Sequence, residues 1–197
     1  MASKIVIITA PSGSGKTSIA RYLLERFPTL EFSISATTRA PRGSEENGRD
    51  YYFISLADFE QRIAAGAFLE WEIVYKGKYY GTLKSEVDRM WGLGKTPLLD
   101  IDVHGAMHVQ KLFPGKCLSI FIKAPSHEAL RNRLESRGTE TPESLEARLN
   151  KAAHEEQYKD SFDAVVVNDE LEKAQQEAGA LLQGFLGDYG RLMHNSG

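Results

Sequence analysis

The chain has 197 residues, of which 42% are hydrophobic and 26% are charged, and its 24 basic and 27 acidic side chains give a formal net charge of −3. This length and apolar fraction suit one folded domain, alone or with a small inserted lobe, and they exclude wholesale disorder. The nearly balanced charge argues against non-specific coating of nucleic acid, because such binding requires a large positive excess.

Apolar runs of strand length alternate with amphipathic helical stretches along most of the chain. A β-branched run predicts a buried first strand over residues 4–9, and the spacing of Ile19, Leu23 and Phe27 predicts a helix that ends before Pro28. This rhythm predicts an α/β fold in which helices cover both faces of a parallel sheet. The later core elements are predicted, in chain order, as a strand over 97–102, a helix to about 113, a strand over 118–122, helices over 126–137 and 142–158, a strand over 164–167 and a last helix from about 169.

The stretch from about residue 31 to residue 80 interrupts this rhythm. Its aromatic alternation and its Lys76-Gly77-Lys78 turn predict a small mixed or largely antiparallel β lobe inserted into the α/β core. The predicted lobe strands lie at 32–34, 51–53, 68–75 and 79–80. We divide the single domain, residues 1–197, into a core (about 1–32, 84–125 and 150–197), the inserted lobe (about 33–83) and a helical lid (about 126–149).

The number of cysteines and the length of the apolar runs indicate in which compartment the protein is expected. Cys117 is the only cysteine, which excludes an intrachain disulfide and a multi-cysteine zinc site, and its apolar surroundings predict a small buried core residue. The apolar runs are far shorter than the ~18 residues of a membrane span, and we expect no leader segment, because residues 1–4 show neither a long apolar region nor a small-residue cleavage site. We expect a soluble, most simply cytoplasmic protein with no membrane or nucleic-acid partner.

A phosphate-binding loop follows the first predicted strand. The segment Ala10-Pro-Ser-Gly-Ser-Gly15-Lys16-Thr17 matches the pattern of such loops, with alanine in place of the first glycine. Gly13 and Gly15 allow successive backbone N–H groups to turn inward at the start of a helix. Lys16 has the length to reach the β- and γ-phosphates, and the Thr17 hydroxyl can ligate Mg²⁺. The predicted ATP-binding residues of this loop are Ala10, Pro11, Ser12, Gly13, Ser14, Gly15, Lys16, Thr17 and Ser18.

The loop by itself suits a GTPase, an ATP-driven motor or a kinase. A GTPase would also carry D-x-x-G, which Asp102-Val-His-Gly105 fits, and N-K-x-D, which reads guanine. Asn150-Lys-Ala-Ala153 is the partial match to the second motif, but it lacks the aspartate and lies in a predicted helix. The GTPase interpretation is therefore disfavoured.

The predicted lobe carries further motifs that favour one class of kinase. Two arginines three positions apart suit an anionic group, and a nearby tyrosine hydroxyl can complete the contact. These motifs are Thr37-Thr-Arg39-Ala-Pro-Arg42, Asp50-Tyr51-Tyr-Phe53 and Tyr79-Tyr80-Gly81. In this order, and together with the phosphate loop, they make the chain resemble guanylate kinases from Ile5 to about Asp169. The resemblance implies that Arg39, Arg42, Tyr51 and Tyr80 hold the phosphate of GMP, and that Ser35, Glu70 and Thr82 read its guanine.

The chemistry of guanine supports Glu70 independently of the resemblance. Guanine presents two adjacent donors, N1–H and N2–H, which one carboxylate can accept in parallel. Adenine lacks this pair, so a buried carboxylate would be left without a partner, and such sites strongly reject the wrong ligand. The alternative for Glu70 is an ordinary solvated carboxylate on a strand, and for the two tyrosines it is aromatic packing.

Three arginines flank the Gly138 turn, and neither Arg133 nor Arg148 has an acidic residue three or four positions away. Arg131 has Glu128 and Glu135 at helical spacing and is predicted to be a structural surface pair. Unlike Arg131, the three arginines that flank the turn suit a lid that closes onto transferring phosphates. The resemblance points to the same three as catalytic residues. They are Arg133, Arg137 and Arg148.

Two aspartates end the second core strand. Because Asp100 and Asp102 are two residues apart, they share one face at the edge where ligands of parallel sheets bind. We assign Asp100 to hydrated Mg²⁺ and Asp102 to the acceptor nucleotide, with the reverse assignment open and an N-cap as the alternative for Asp102. Asn168 either contacts adenine at the ATP site or caps the last helix, the cap being favoured. His104 and His108 are expected to pack rather than to bind metal.

The sequence thus predicts a guanylate kinase that transfers the γ-phosphoryl group of ATP to GMP with Mg²⁺, yielding ADP and GDP as in purine nucleotide metabolism. No general base is required, because a phosphate monoester has its second pKa near ~6 and is ionised at neutral pH. The alternatives are a kinase that prefers another nucleoside monophosphate and a non-catalytic interaction module of the same fold. The oligomeric state is left open.

Overall fold

The computed structural model describes residues 4–75, 77–136, 138 and 141–194. The turn residue Lys76 and the predicted lid residue Arg137 therefore lie outside the described residues. The elements of the core and lobe are, in chain order, β1 (Ile5–Thr9), α1 (Lys16–Arg26), β2 (Leu30–Phe32), β3 (Ala36–Thr37), β4 (Tyr52–Phe53), α2 (Leu56–Ala64), β5 (Phe68–Tyr75), β6 (Lys78–Leu83), α3 (Lys84–Gly92), β7 (Thr96–Asp100), α4 (Val103–Leu112) and β8 (Cys117–Lys123). They are followed by α5 (His127–Glu135), α6 (Pro142–Glu156), a 3₁₀ turn (Lys159–Ser161), β9 (Ala164–Val167) and α7 (Leu171–His194).

The core sheet has five parallel strands in the order β2-β7-β1-β8-β9. Helices cover both faces, since Val6 and Ile8 of β1 pack with residues of α1 and α7, whereas Ile5 and Ile7 pack with residues of α3 and α4. All four of these β1 side chains are fully buried, as expected for a strand enclosed on two faces. The predicted α/β class with a P-loop NTPase-type sheet is confirmed.

A second sheet, with the order β4-β3-β6-β5, forms the lobe together with α2. β6 pairs antiparallel with β3 and β5, and β3 pairs parallel with β4. Its apolar side packs around a stacked pair, Phe59 on α2 and Phe68 on β5, whose ring centroids are 4.3 Å apart. The expected mixed lobe is therefore present.

Two sequence predictions in this region are wrong. The run at 32–34 was assigned to the lobe, but β2 (Leu30–Phe32) is the edge strand of the core sheet and pairs with β7, because Leu30 completes the packing beside α1. Helices α2 and α3 were not predicted. For α2 a signal was available, since Ser55 caps the helix by accepting from the Asp58 backbone N–H, the Ser-x-x-Asp pattern of a helix start.

Two capped helices form the predicted lid region. Ser126 caps α5 and Thr141 caps α6, and the helices pack together through leucines that include Leu130 and Leu149. α5 ends at Glu135, two residues earlier than predicted, and Gly138 beyond it has a positive φ of 64°.

Cys117 is half-buried rather than buried, because it begins strand β8 at the sheet margin, and burial raises the pKa of its thiol to about 12. Among the described residues, no helix combines the length and the apolar composition needed to cross a membrane.

Candidate active site

A cleft of about 470 Å³ lies where the carboxyl edge of the core sheet faces the lobe and the second lid helix. The phosphate loop, the residues after β7, the inner face of the lobe and α6 all contribute to its lining. Cationic side chains from two of these parts face it: Lys16 from the loop, and Arg148 and Lys151 from α6. Acidic side chains, among them Glu70, Asp100 and Asp102, face the same space, so the cleft joins elements that are far apart in sequence around charges of both signs.

The backbone of the phosphate loop requires glycine at two positions. Gly13 and Gly15 have φ values of 93° and 90°, which side chains rarely adopt. A Cβ on Gly15 would also lie 2.1 Å from Nδ2 of Asn168, so both backbone and space exclude a larger residue. The loop turns directly into α1 at Lys16, so its N–H groups lie at the start of a helix.

Asn168 supports this loop through a side-chain hydrogen bond. Its Nδ2 donates to the backbone oxygen of Ser14 at 2.8 Å, and the side chain is almost completely buried. The final helix begins only at Leu171, so the favoured interpretation of Asn168 as a helix cap is wrong. No local pattern in the sequence predicts the actual contact, because its two partners are 154 positions apart.

Lys16 forms an ion pair with Asp100 at the floor of the cleft. Burial lowers the pKa of Lys16, but the attraction of Asp100 and of Glu155 outweighs it, so the pKa is raised and the ammonium group stays charged. The carboxylate proposed for Mg²⁺ thus contacts the lysine proposed for the phosphates. Thr17 also lines the cleft beside them.

Asp102 lies on the lobe side of the cleft. Its carboxylate accepts from the backbone N–H of Gly105 at 2.8 Å and so caps α4, which confirms the N-cap alternative. The same residue lines the cleft, and its negative charge helps to raise the pKa of Glu70. The cap fixes the carboxylate in place without removing it from the site.

Glu70 is a buried carboxylate held by Thr82. Its Oε1 accepts from the Thr82 backbone N–H at 2.9 Å and from the Thr82 hydroxyl at 2.5 Å. Burial, opposed by the Thr82 hydrogen bonds and assisted by repulsion from Asp102, raises the pKa of Glu70 to about 7. A solvated strand carboxylate, the alternative for Glu70, does not describe this environment, since the residue is only 7% exposed.

Gly105 is a site residue that was predicted only as the glycine of a GTPase-like D-x-x-G motif. A Cβ at this position would lie 2.7 Å from Oε2 of Glu70 and 3.4 Å from Oδ1 of Asp102. The glycine of this D-x-x-G pattern therefore leaves room for the Glu70 carboxylate, which is a different role from binding a γ-phosphate in a GTPase.

Arg39 is the centre of a cluster with two tyrosines in the lobe. Its Nε donates to the Tyr80 hydroxyl at 3.1 Å, and its guanidinium carbon lies 4.7 Å from the centroid of the Tyr51 ring. Tyr51 and Tyr80 meet edge to face at 6.0 Å. Burial, together with repulsion from Asp100, raises the pKa of Tyr51, so its phenol remains a hydrogen-bond donor.

Only some of the other predicted site residues line the cleft. Ser35 lines the cleft, whereas Arg42 is exposed on the loop between β3 and β4 and is not among the lining residues. On the lid, Arg148 lines the cleft and its Nη1 donates to the Ser12 hydroxyl at 2.8 Å. Arg133 instead donates to the backbone oxygen of Asn168 at 2.8 Å, outside the cleft lining, and Arg137 falls outside the described residues.

Further charged residues of the cleft were missed. Glu155 on α6 is buried, and Lys151 one turn before it lies 3.6 Å away, measured from Nζ to Oε1. Burial raises the pKa of Glu155, although Lys151 and Lys16 oppose the shift. Their spacing from Arg148, three and seven residues, places them on one helix face, a signal that the sequence contained.

The surface role predicted for Arg131 and the packing role predicted for His104 are confirmed. Arg131 pairs with Glu135 and Glu146 at 3.9 Å and 3.3 Å. His104 packs edge to face on Tyr158 with ring centroids 5.1 Å apart. In the described part of the chain, no group of three or more histidine, cysteine, aspartate or glutamate side chains is arranged to hold a metal ion.

Comparison with known proteins places these features in one family. A family model described as guanylate kinase matches residues 2–184. The chain is 45% identical over 185 residues to guanylate kinase of Bacteroides fragilis, covering 94% of this chain and 91% of the relative. It is 51% identical over 170 residues to that of Porphyromonas gingivalis, covering 86% and 90%. The crystal structure of guanylate kinase from Anaplasma phagocytophilum superimposes with a TM-score of 0.74 at 31% identity, over 92% of this chain and 85% of that one.

Proposed function

The chain belongs to the guanylate kinase family and is an enzyme that transfers the γ-phosphoryl group of ATP to GMP, and we propose how its residues divide this work. The observation that carries the proposal is the meeting of Lys16, in its phosphate loop, and the buried Glu70 at one cleft. The first marks a site for a nucleoside triphosphate and the second a site for guanine. A single domain over residues 1–197 then contains the core, the lobe (about 33–83) and the lid (about 126–149).

The phosphate loop binds ATP. Residues 10–18 direct backbone N–H groups and the start of α1 toward the phosphates, and the Lys16 ammonium contributes the positive charge. Asn168 supports ATP binding by holding the loop at Ser14, a contact that also fills the space beside Gly15.

The lobe binds GMP. Guanine donates N1–H and N2–H to Glu70, whose orientation Thr82 fixes, while Ser35 and Asp102 border the same pocket. The GMP phosphate is held by Arg39, Arg42, Tyr51 and Tyr80. Of these, Arg39 and the tyrosines already form one contact cluster, and Arg42 extends the positive charge along the same loop.

Catalysis consists of positioning and charge neutralisation. The attacking oxygen belongs to a phosphate whose second pKa is near ~6, so it is ionised at neutral pH and needs no general base. Lys16, Arg133, Arg137 and Arg148 neutralise the charge on the moving phosphoryl group as the lid approaches. Support for Arg148 comes from its contact with Ser12 of the loop.

The residues beside Lys16 fit a magnesium ion. Mg²⁺ prefers oxygen ligands, usually one or two carboxylates with water and substrate phosphates, and the Asp100 carboxylate and the Thr17 hydroxyl offer such oxygens beside the phosphate loop. When bound with ATP, the ion neutralises phosphate charge during transfer. Asp100 also holds Lys16 in place at the same edge of the sheet.

We further propose that the enzyme works in the cytoplasm with ATP and GMP as its substrates and without nucleic-acid or membrane partners. Its nearly balanced charge of −3 supports the first exclusion. Its lone cysteine suits a reducing compartment.

The assignment of Lys16 is tested by Lys16→Met. Loss of the ammonium should lower kcat by about 10²- to 10³-fold while GMP affinity is retained, because the lysine acts on the ATP phosphates. Lys111→Met, on the exposed end of α4, is the control that removes the same charge away from the cleft. Steady-state assay and GMP titration give both quantities; near-normal turnover of the Lys16 variant would contradict the assignment.

A further inference from the structure

The loop between β3 and β4 contains an acidic residue that the assignment of the site leaves without a role. Glu45 binds the guanidinium of Arg39 with both carboxylate oxygens, with Nη1 2.6 Å from Oε2 and Nη2 2.7 Å from Oε1. Its Oε2 also accepts from the backbone N–H of Arg42 at 2.8 Å. One carboxylate thus holds both arginines of the T-T-R-x-P-R motif, one by its side chain and one by its backbone.

These bonds account for most of the donors of Arg39. A guanidinium has five N–H groups, and their directions are fixed by its plane. Nε is used by Tyr80, Nη1 by Ala40 and Glu45, and one N–H of Nη2 by Glu45. These bonds leave one N–H of Nη2, which lies on the edge of the guanidinium that also carries Nε–H, and Tyr51 is the further hydrogen-bonding neighbour of the Arg39 side chain.

The remaining donor lies next to the Tyr80 hydroxyl. Because this hydroxyl accepts from Nε, its own proton is available for another acceptor. The ring of Tyr51 packs on the flat face of Arg39, which prevents the guanidinium from tilting in that direction. An oxygen placed at this edge can therefore accept from Nη2–H and from Tyr80 O–H together.

We propose that Glu45 is a positioning residue for the GMP phosphate: it fixes Arg39 so that one Nη2–H acts beside the Tyr80 hydroxyl, and it anchors the backbone of Arg42. This inference rests on the proposed role of Arg39 in binding that phosphate. Glu45 also offsets the positive charge of Arg39. The preference for a phosphate beside Arg39 and Tyr80 therefore comes more from the directions of their hydrogen-bond donors than from net charge.

The ionisation of Glu45 is compatible with this role. Its hydrogen bonds with Arg39 and with the Arg42 backbone lower the pKa of Glu45 to about 2. The carboxylate therefore remains ionised throughout the pH range in which the enzyme is assayed.

The test compares a ligand with the phosphate and one without it. Affinities for GMP and guanosine, the latter as a competitive inhibitor, are measured for the wild type and for Glu45→Gln. We expect Glu45→Gln to bind GMP about tenfold more weakly, because Arg39 must then be ordered on binding, while guanosine affinity and KM for ATP stay unchanged. Glu46→Gln is the matched control: it removes the same charge from the next residue, which pairs with Arg49 and not with Arg39, and it should behave as wild type.

Each other outcome would overturn the inference. Equal weakening of GMP and guanosine in Glu45→Gln would show a structural role of the loop, and tighter GMP binding would show that Glu45 competes with the phosphate. Unchanged GMP affinity would remove the role altogether. If Glu45→Gln does not fold, Glu45→Asp, which keeps the charge but shortens the reach, is measured in the same way. Arg39→Met separates the two claims: if it keeps the preference for GMP over guanosine, the assignment of Arg39 itself fails.

Discussion

At the scale of single residues, the proposed recognition of guanine depends on one buried carboxylate. Glu70 is only 7% exposed, and two hydrogen bonds from Thr82 occupy its Oε1. Burial is the main cause of its raised pKa, because the low-dielectric surroundings disfavour the charged form. In the proposed complex the two N–H donors of guanine require that charged form, so we expect ligand binding and proton release to be coupled at this residue.

This coupling predicts a pH dependence of guanine binding. With the pKa of Glu70 at about 7, lowering the pH protonates the carboxylate before the ligand binds. The inhibition constant of guanosine should rise by up to about tenfold per pH unit below 7 and level off above it. Guanosine is used because GMP carries its own phosphate pKa near ~6.

Glu70→Gln is the matched variant for this measurement, since its amide does not titrate. It should bind guanosine more weakly than the wild type and with a flat profile from pH 5.5 to pH 8. A flat profile in the wild type would contradict the proposed coupling.

Gly105 limits the space behind the same carboxylate. A Cβ would come within 2.7 Å of Glu70 Oε2, so Gly105→Ala should displace the carboxylate and raise KM for GMP about tenfold or more, with KM for ATP unchanged. Gly184→Ala, also within a helix but with nothing near its Cβ, should leave the kinetics unchanged and stabilise by up to ~1 kcal/mol. Steady-state kinetics and thermal unfolding of the two variants test this; similar kinetics would refute the steric argument.

Which residues of the site could be predicted from the sequence depended on how local their signals are. The phosphate loop is a contiguous motif. Of the residues predicted in the lobe, Ser35, Tyr51 and Glu70 line the cleft, and Arg39 contacts Tyr51. The contacts of Asn168 with Ser14 and of Glu45 with Arg39 were not foreseen. The first joins distant segments, and the second depends on a loop conformation that no periodicity encodes.

At the scale of elements, the lid helices place two arginines in different environments. Arg148 lies on α6 toward the cleft and contacts the phosphate loop, whereas Arg131 lies on α5 among exposed acidic partners. The lid is therefore expected to act through one face only.

This difference predicts unequal effects of the same substitution. Arg148→Met should lower kcat by about 10³-fold with little change in KM for GMP, because its charge acts on the moving phosphoryl group. Arg131→Met removes only surface ion pairs, worth about 0–1 kcal/mol of stability, and should leave kcat unchanged. Single-turnover assays of both variants check the assignment; equal losses would indicate damage to the lid as a whole.

Elements with strong periodicity were predicted within about two residues, as for β9, which is identical to its prediction. The misplaced β2 is only three residues long, so its apolar pattern is too short to assign it to a sheet. Its place follows from pairing with β7, a long-range contact.

At the scale of the whole molecule, one network connects the core sheet to the lobe. Arg89 on α3 donates to Glu31 on β2 at 2.7 Å and to the buried Glu86 at 3.1 Å. Tyr52 of the lobe donates to the same Glu86 at 3.1 Å. These bonds hold the lobe, which we propose binds guanine, beside the sheet that carries the phosphate loop, so the two proposed nucleotide sites border one cleft.

The central claim is that this arrangement delivers the γ-phosphoryl group of ATP to a nucleotide chosen by Glu70. The most direct measurement is the initial rate with saturating Mg-ATP and a panel of acceptors, GMP, AMP, CMP, UMP and dTMP, for the wild type. We expect GDP to form with kcat/KM for GMP about 10⁴-fold or more above that for AMP. Equal use of AMP and GMP, or saturable ATP binding without any GDP formed, would contradict it.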